Sequence, residues 1–155
     1  MIILDATDIK ILNILKENAR ESASVIAGNV HLSVSAVIER VKKLELTGII
    51  KKYTTVLDYE AAGLDVVAFM DVTLEHPRYN ADFIEYVIRN GSVIQCHYIA
   101  GDYDFLLKIA TGSITALENI LNGIKSIQGV GKTVTTIVLS TLKEVYTADL
   151  PYSKK

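Results

Sequence analysis

The chain has little cysteine, no excess of either charge and no long apolar run, and each lack removes a class of protein. Its one cysteine, Cys96, excludes an internal disulfide framework and any zinc site built from several cysteines, and fits a reducing compartment. Sixteen Lys and Arg against eighteen Asp and Glu leave a formal charge of −2, so any nucleic-acid surface has to be local rather than a bulk cationic field. The longest uncharged stretch, Ser22 to Ile38, is broken by Ser24, Gly28, Asn29, His31, Ser33 and Ser35. That is too polar for the roughly 20 mostly apolar residues a bilayer span needs, so no membrane partner is expected. Asp5 and Asp8 precede any Lys or Arg, unlike the basic start of a secretory signal. What is present is a 50% hydrophobic chain of 155 residues with 22% charged, too apolar for disorder and long enough for one ordinary domain or two small ones. A soluble cytoplasmic protein is the expectation.

The pattern changes near Gly63. Before it, Ile9, Leu12 and Leu15, with Ile11 and Ile14 beside them, recur at helical spacing behind Asp5 and Thr7, either of which can cap the first turn. That helix is expected to end near Asn18. A short second helix fits Ser22 to Asn29, and Ser33 or Ser35 can cap a third that runs until Gly48. After Gly63, Asp65 to Leu74, Val93 to Ala100, Tyr103 to Ala110 and Thr133 to Leu142 read as strands. Ala81 to Arg89 and the run Ile114, Leu117, Leu121 and Ile124 read as helices between them. The order βαββαβ is the split βαβ or ferredoxin-like arrangement, with helices on one face of its sheet only. Met70, Val72 and Leu74 alternate with Asp71 and Thr73, and Thr133, Thr135, Ile137 and Leu139 alternate with Val134, Thr136 and Val138. Apolar side chains on both faces predict that a second copy of the chain covers the open one.

The third helix carries the chemistry of the first half. About 100° per residue groups Val34, Val37, Ile38, Val41 and Leu44 into a core stripe and sets Ser35, Ala36, Glu39, Arg40, Lys43 and Thr47 opposite. Small residues permit close approach to a duplex, Arg40 can fork onto a guanine edge or a phosphate, and Lys42 and Lys43 can neutralise phosphates. From Ser33 to Lys52 there are five basic and two acidic residues, while residues 1–60 hold eight of each. Lys51, Lys52 and Tyr53 follow at once and can touch the flanking backbone. The expected DNA surface is therefore Ser33, Ser35, Ala36, Glu39, Arg40, Lys42, Lys43, Lys51 and Lys52. Solvated basic residues on a plain helix face are the alternative reading of any one lysine.

Taken together, LDATDIKILNILKENARESASVIA, then LSVSAVIERVKKLELTGIIKKYTTVLDYEAAGL, then GDYDFLLKI resemble the Lrp/AsnC family of transcriptional regulators over nearly the whole chain. The resemblance implies an α+β protein: a helix-turn-helix, winged-helix-like DNA-binding domain at 1–48, a linker strand at 49–62, and a ferredoxin-like domain at 63–155 for ligand binding and oligomerisation. It implies a homodimer, which in this family can build into a tetramer or octamer, reading a pseudo-palindromic operator in double-stranded DNA. Ile49 to Leu57 is expected to be a strand, paired in the resembling family with the second subunit. His31 stands where the family usually has Gly, at a turn that tends to need positive φ, and reads as a turn residue rather than a metal ligand or pH sensor.

Ala100, Gly101, Asp102, Tyr103 and Asp104 offer a flexible turn, two carboxylates and a phenol. Asp102 or Asp104 can take the α-ammonium of an amino acid, and turn N–H groups with the hydroxyls of Thr133 and Thr135 can take its α-carboxylate. The resemblance implies that this pocket forms between subunits; a plain solvated turn is the alternative. Cys96 reads as a small buried hydrophobe. No metal or cofactor is expected. Two other functions stay open. Siroheme decarboxylases resemble the same two-domain family, and His76, His97, Arg78 and Arg89 lie in the sheet half, though without a dense His/Arg motif. A metabolite sensor that has lost DNA recognition is the other, against which the run LSVSAVIERVKK argues.

Overall fold

The computed structural model describes residues 4–150, and these fall into two compact units. One is formed by residues 4–56 together with residues 143–150, the other by Leu57–Leu142. No described helix is long and apolar enough to cross a membrane.

In the first unit three helices, α1 (Ala6–Glu17), α2 (Ala23–Val30) and α3 (Val34–Leu46), follow one another through very short turns. Each starts where a side chain can satisfy free backbone donors: Asp5, Ser22 and Ser33 accept from the N–H of Asp8, Val25 and Ala36. Gly48, at φ +74°, ends the third helix in the left-handed conformation. His31 closes α2 at φ 56° and ψ 46°, so the turn into α3 does require positive φ and a histidine supplies it. Ile11, Leu12, Ile26, Ala27, Val37 and Leu44 form the buried core. Val34 and Ile38, expected in that core, are exposed, because α1 and α2 cover a stripe narrower than the apolar positions of α3.

Residues 143–150, placed with the sheet by sequence order, fall in the helical unit instead. Leu150 joins its core, and Lys16 Nζ donates to Ala148 O at 3.2 Å and lies 3.5 Å from the Asp149 carboxylate. The expected strand over Ile49–Leu57 does not form: residues 51–58 are exposed and irregular, since one chain offers that segment no neighbouring strand.

The second unit is an antiparallel sheet of β1 (Val66–Leu74), β2 (Val93–Tyr98), β3 (Phe105–Thr111) and β4 (Val130–Ile137) in the order β2-β3-β1-β4. Helices α4 (Asn80–Arg89) and α5 (Ile114–Lys125) complete the βαββαβ pattern. Ala68, Met70 and Val72 of β1 and Phe105, Leu107 and Ile109 of β3 share one face and form the core with Phe83 and Val87 of α4 and Leu117 and Ile124 of α5. The other face carries Phe69, Asp71, Leu106, Lys108, Val134 and Thr136, a mixed surface with no helix over it. The last strand starts and stops earlier than the Thr133–Leu142 expectation because its partner runs out: Ile137 pairs with Ala68, and Val138 N donates to Val67 O near the start of β1.

Cys96 is exposed rather than buried. It sits opposite Leu107 on β2, the edge strand of the sheet. Partial burial still desolvates its thiol enough to raise the pKa, the reverse of an activated cysteine.

Candidate nucleic-acid interface and effector site

The exposed side of α3 is built by what its other side is tied to. Val37 and Leu44 are buried, and Arg40, which helical spacing places between them, turns toward α1. Its Nη1 donates to Asp5 Oδ2 and Asp8 Oδ1, both at 2.7 Å. The same two carboxylates form the reciprocal capping box of α1: Asp8 N donates to Asp5 Oδ1 at 2.7 Å and Asp5 N to Asp8 Oδ2 at 3.2 Å. All four carboxylate oxygens are therefore engaged. The hydrogen bond from the Asp8 backbone, then the Arg40 side chain, hold the Asp5 carboxyl below the usual carboxylate range against the opposing effect of burial. Arg40 is raised in turn, first by Asp5 and then by Asp8. Within one chain the guanidinium ties α3 to the start of α1 through Nη1.

Ser35, Glu39, Lys42 and Lys43 are exposed on the outer side of α3, with Ala36 half-buried beside them. Ser33 caps the helix and its Oγ lies 3.1 Å from Ser35 Oγ. Lys51 and Lys52 are exposed just beyond Gly48. Tyr53 returns to the helix, donating to Glu45 Oε1 at 2.9 Å, and burial followed by Glu45 pushes its pKa up to about 12.

In the sheet unit, the turn Ala100–Asp104 joins β2 to β3. Asp104 is used locally: its Oδ2 accepts from Leu74 N at 2.7 Å, its N donates to Val72 O at 3.0 Å, and its carbonyl accepts from Ile99 N at 2.8 Å. Asp102 stays exposed. Thr133 and Thr135 do not join the turn within one chain. They pair with Val72 and Met70, half-buried on the helix-covered side, and β1 lies between them and Asp104. The β4 residue that does meet the turn is Lys132, whose ammonium lies 5.2 Å from the centre of the Tyr103 ring. Hydrogen bonding to Tyr103, then the charges of Tyr103 and Asp102, raise the Lys132 pKa. Cation, phenol and carboxylate thus stand together. The sequence reading missed Lys132, although it directly precedes Thr133.

The four residues of the decarboxylase alternative are dispersed. His76 Nδ1 accepts from Arg78 N at the turn before α4, and Arg89 pairs with Glu85 on α4. His97 pairs with Leu106 on the opposite face of the sheet from the helices. No group of three or more His, Cys, Asp or Glu among the described residues is arranged to hold a metal ion.

Residues 4–45 match the AsnC-type helix-turn-helix domain and residues 67–147 the Lrp/AsnC ligand binding domain. The chain belongs to the Lrp/AsnC family. Among its relatives, the HTH-type transcriptional regulator FL11 of Pyrococcus horikoshii is 36% identical over 148 residues, covering 96% of each chain. The proline dehydrogenase transcriptional activator of Rhizobium radiobacter is 35% identical over 144 residues, covering 91% of this chain and 92% of its own. A Neisseria meningitidis transcriptional regulator solved in complex with L-Met superposes with a TM-score of 0.89 at 32% identity, over 96% of this chain and 97% of that one. AsnC of E. coli gives 0.86 at 26% identity, over 92% and 97%. This Lrp/AsnC chain is a DNA-binding transcriptional regulator, and α3 is the second helix of its helix-turn-helix.

Proposed function

We propose that this protein is a cytoplasmic, homo-oligomeric regulator that binds a pseudo-palindromic operator through α3 and responds to an amino acid held near the Ala100–Asp104 turn. The observation that carries the reading is the two-sided build of α3. Its inner side is fixed by core packing and the Arg40 clamp, leaving Ser35, Glu39, Lys42 and Lys43 free on the outer side. Ser33 and Ala36 line the start of that surface. Lys42, Lys43, Lys51 and Lys52 would neutralise phosphates while the short side chains admit close approach to base edges. A second copy would supply the strand partner that Ile49–Leu57 lacks and cover the helix-free sheet face.

For the effector, Asp102 offers a carboxylate to an α-ammonium and Lys132 an ammonium to an α-carboxylate, with Tyr103 between them. Gly101 and Ala100 leave the turn backbone open to approach. Thr133 and Thr135 would contribute only across a subunit boundary. The similarity to a regulator solved with L-Met supports the class of ligand. Gel-shift titration of the full chain against a selected duplex, at several salt concentrations and with each amino acid, tests the reading. Affinity should fall steeply with salt, and one or a few amino acids should shift it or the oligomer size. A chain that stays monomeric, or binds no duplex at low ionic strength, would overturn it.

A further inference from the structure

The free face of α3 includes two side chains that helical periodicity assigns to its core. Val34 and Ile38 are 43% and 53% exposed, whereas Val37, immediately before Ile38, is fully buried. Ile38 lies one turn after Val34 and one turn before Lys42, with Ser35 and Glu39 beside it. Val34, Ser35, Ile38 and Glu39 lie in the first half of the helix, the part that a recognition helix brings against base edges in the major groove. An isoleucine neither donates nor accepts a hydrogen bond. The feature of that groove it complements is the C5 methyl group of thymine.

Two further observations favour a duplex as the occupant. Lys42 and Lys43 place phosphate-seeking charge next to the aliphatic pair, so the surface combines cations for a backbone with apolar groups for a groove floor. Arg40, the residue best suited to read guanine, is withdrawn onto Asp5 and Asp8. We propose that Ile38, supported by Val34, is a specificity-determining residue that reads thymine methyl groups in the operator. The proposal rests on the DNA-binding role of the outer face of α3.

The test selects preferred duplexes from random DNA with the full chain, then replaces each thymine singly by deoxyuridine, which removes only the methyl group. At one or two positions per half-site the wild-type chain should bind about fourfold more weakly, the loss expected for one buried methyl-sized group. Ile38→Ala should bind the thymine and deoxyuridine duplexes equally at those positions, while Ile38→Val keeps the preference. Both variants should melt like the parent, since Ile38 lies outside the buried core. Indifference to deoxyuridine at every position, or a preference that survives Ile38→Ala, would overturn the proposal. So would an Ile38→Ala variant that changes oligomer size while keeping the preference, which would make the residue a subunit contact. Failure to enrich any duplex would instead remove the DNA-binding role of this face, a separable outcome.

Discussion

In the helical unit the charged contacts close within one chain, from the Asp5–Asp8–Arg40 cluster to Lys16 on Asp149, and the exposed face of α3 is complete as it stands. In the sheet unit strand β2 is exposed along nearly all its length, and one face of the sheet carries no helix. The outer face of α3 is settled within one chain; the helix-free sheet face is not covered by it. A helix can be aimed by contacts within its own small bundle, whereas an antiparallel sheet with helices on one side leaves its other face to water or to a further layer.

The largest expected effect separates the two cores. Phe105 is buried against Phe83, with ring centroids 4.7 Å apart. Phe105→Ala should cost about 3–5 kcal/mol, read by denaturant titration. It should abolish the oligomer in size-exclusion chromatography while the helical unit keeps its circular-dichroism signal. A single shared unfolding transition would break the comparison.

Next is the contrast between Arg40 and Lys42 on one helix. Arg40→Ala should destabilise the helical unit by about 2 kcal/mol, because it removes the cation from the buried Asp8 carboxylate. It should weaken binding to all duplexes alike. Lys42→Ala should leave the melting temperature unchanged and reduce the slope of log affinity against log salt by about one. An Arg40→Ala variant of full stability with altered base preference would restore Arg40 as a reader.

A smaller change tests the turn. His31 holds a left-handed conformation that glycine adopts freely, so His31→Gly should stabilise the helical unit by roughly 1 kcal/mol. The smallest effect is on pH. The folded Asp5 pKa lies below its ordinary value, so its stabilising contribution is present at neutral pH and drains away as pH falls below about 4. Asp5→Asn should flatten that acid limb of the stability curve, followed by thermal melts at stepped pH.

Local features were legible in the amino-acid order and distant pairings were not. Asp5, Ser22 and Ser33 announce helix starts because a capping side chain acts on donors three residues away, and Gly48 announces a stop for an equally local reason. The order of strands and helices in the second half followed from periodicity in the same way. The ion pairs of Arg40 were not visible because its partners lie 32 and 35 residues earlier, where helical spacing carries no information. Val34 and Ile38 were assigned to the core because periodicity gives the width of an apolar stripe but not the width that neighbouring helices cover. The end of β4 was set by β1, a partner distant in sequence. For the effector site, the turn was visible as a cluster of polar residues, whereas Lys132 needed the fold to bring β4 beside Tyr103.

The return of Leu150 to the helical core has a consequence for biosynthesis. The three helices emerge from the ribosome early, yet one of the partly buried residues set against their core is made only after the whole of Leu57–Leu142. A nascent chain therefore carries the three-helix core before the Leu150 contact on it can form, and a chain cut short within the sheet would keep that core without the contact.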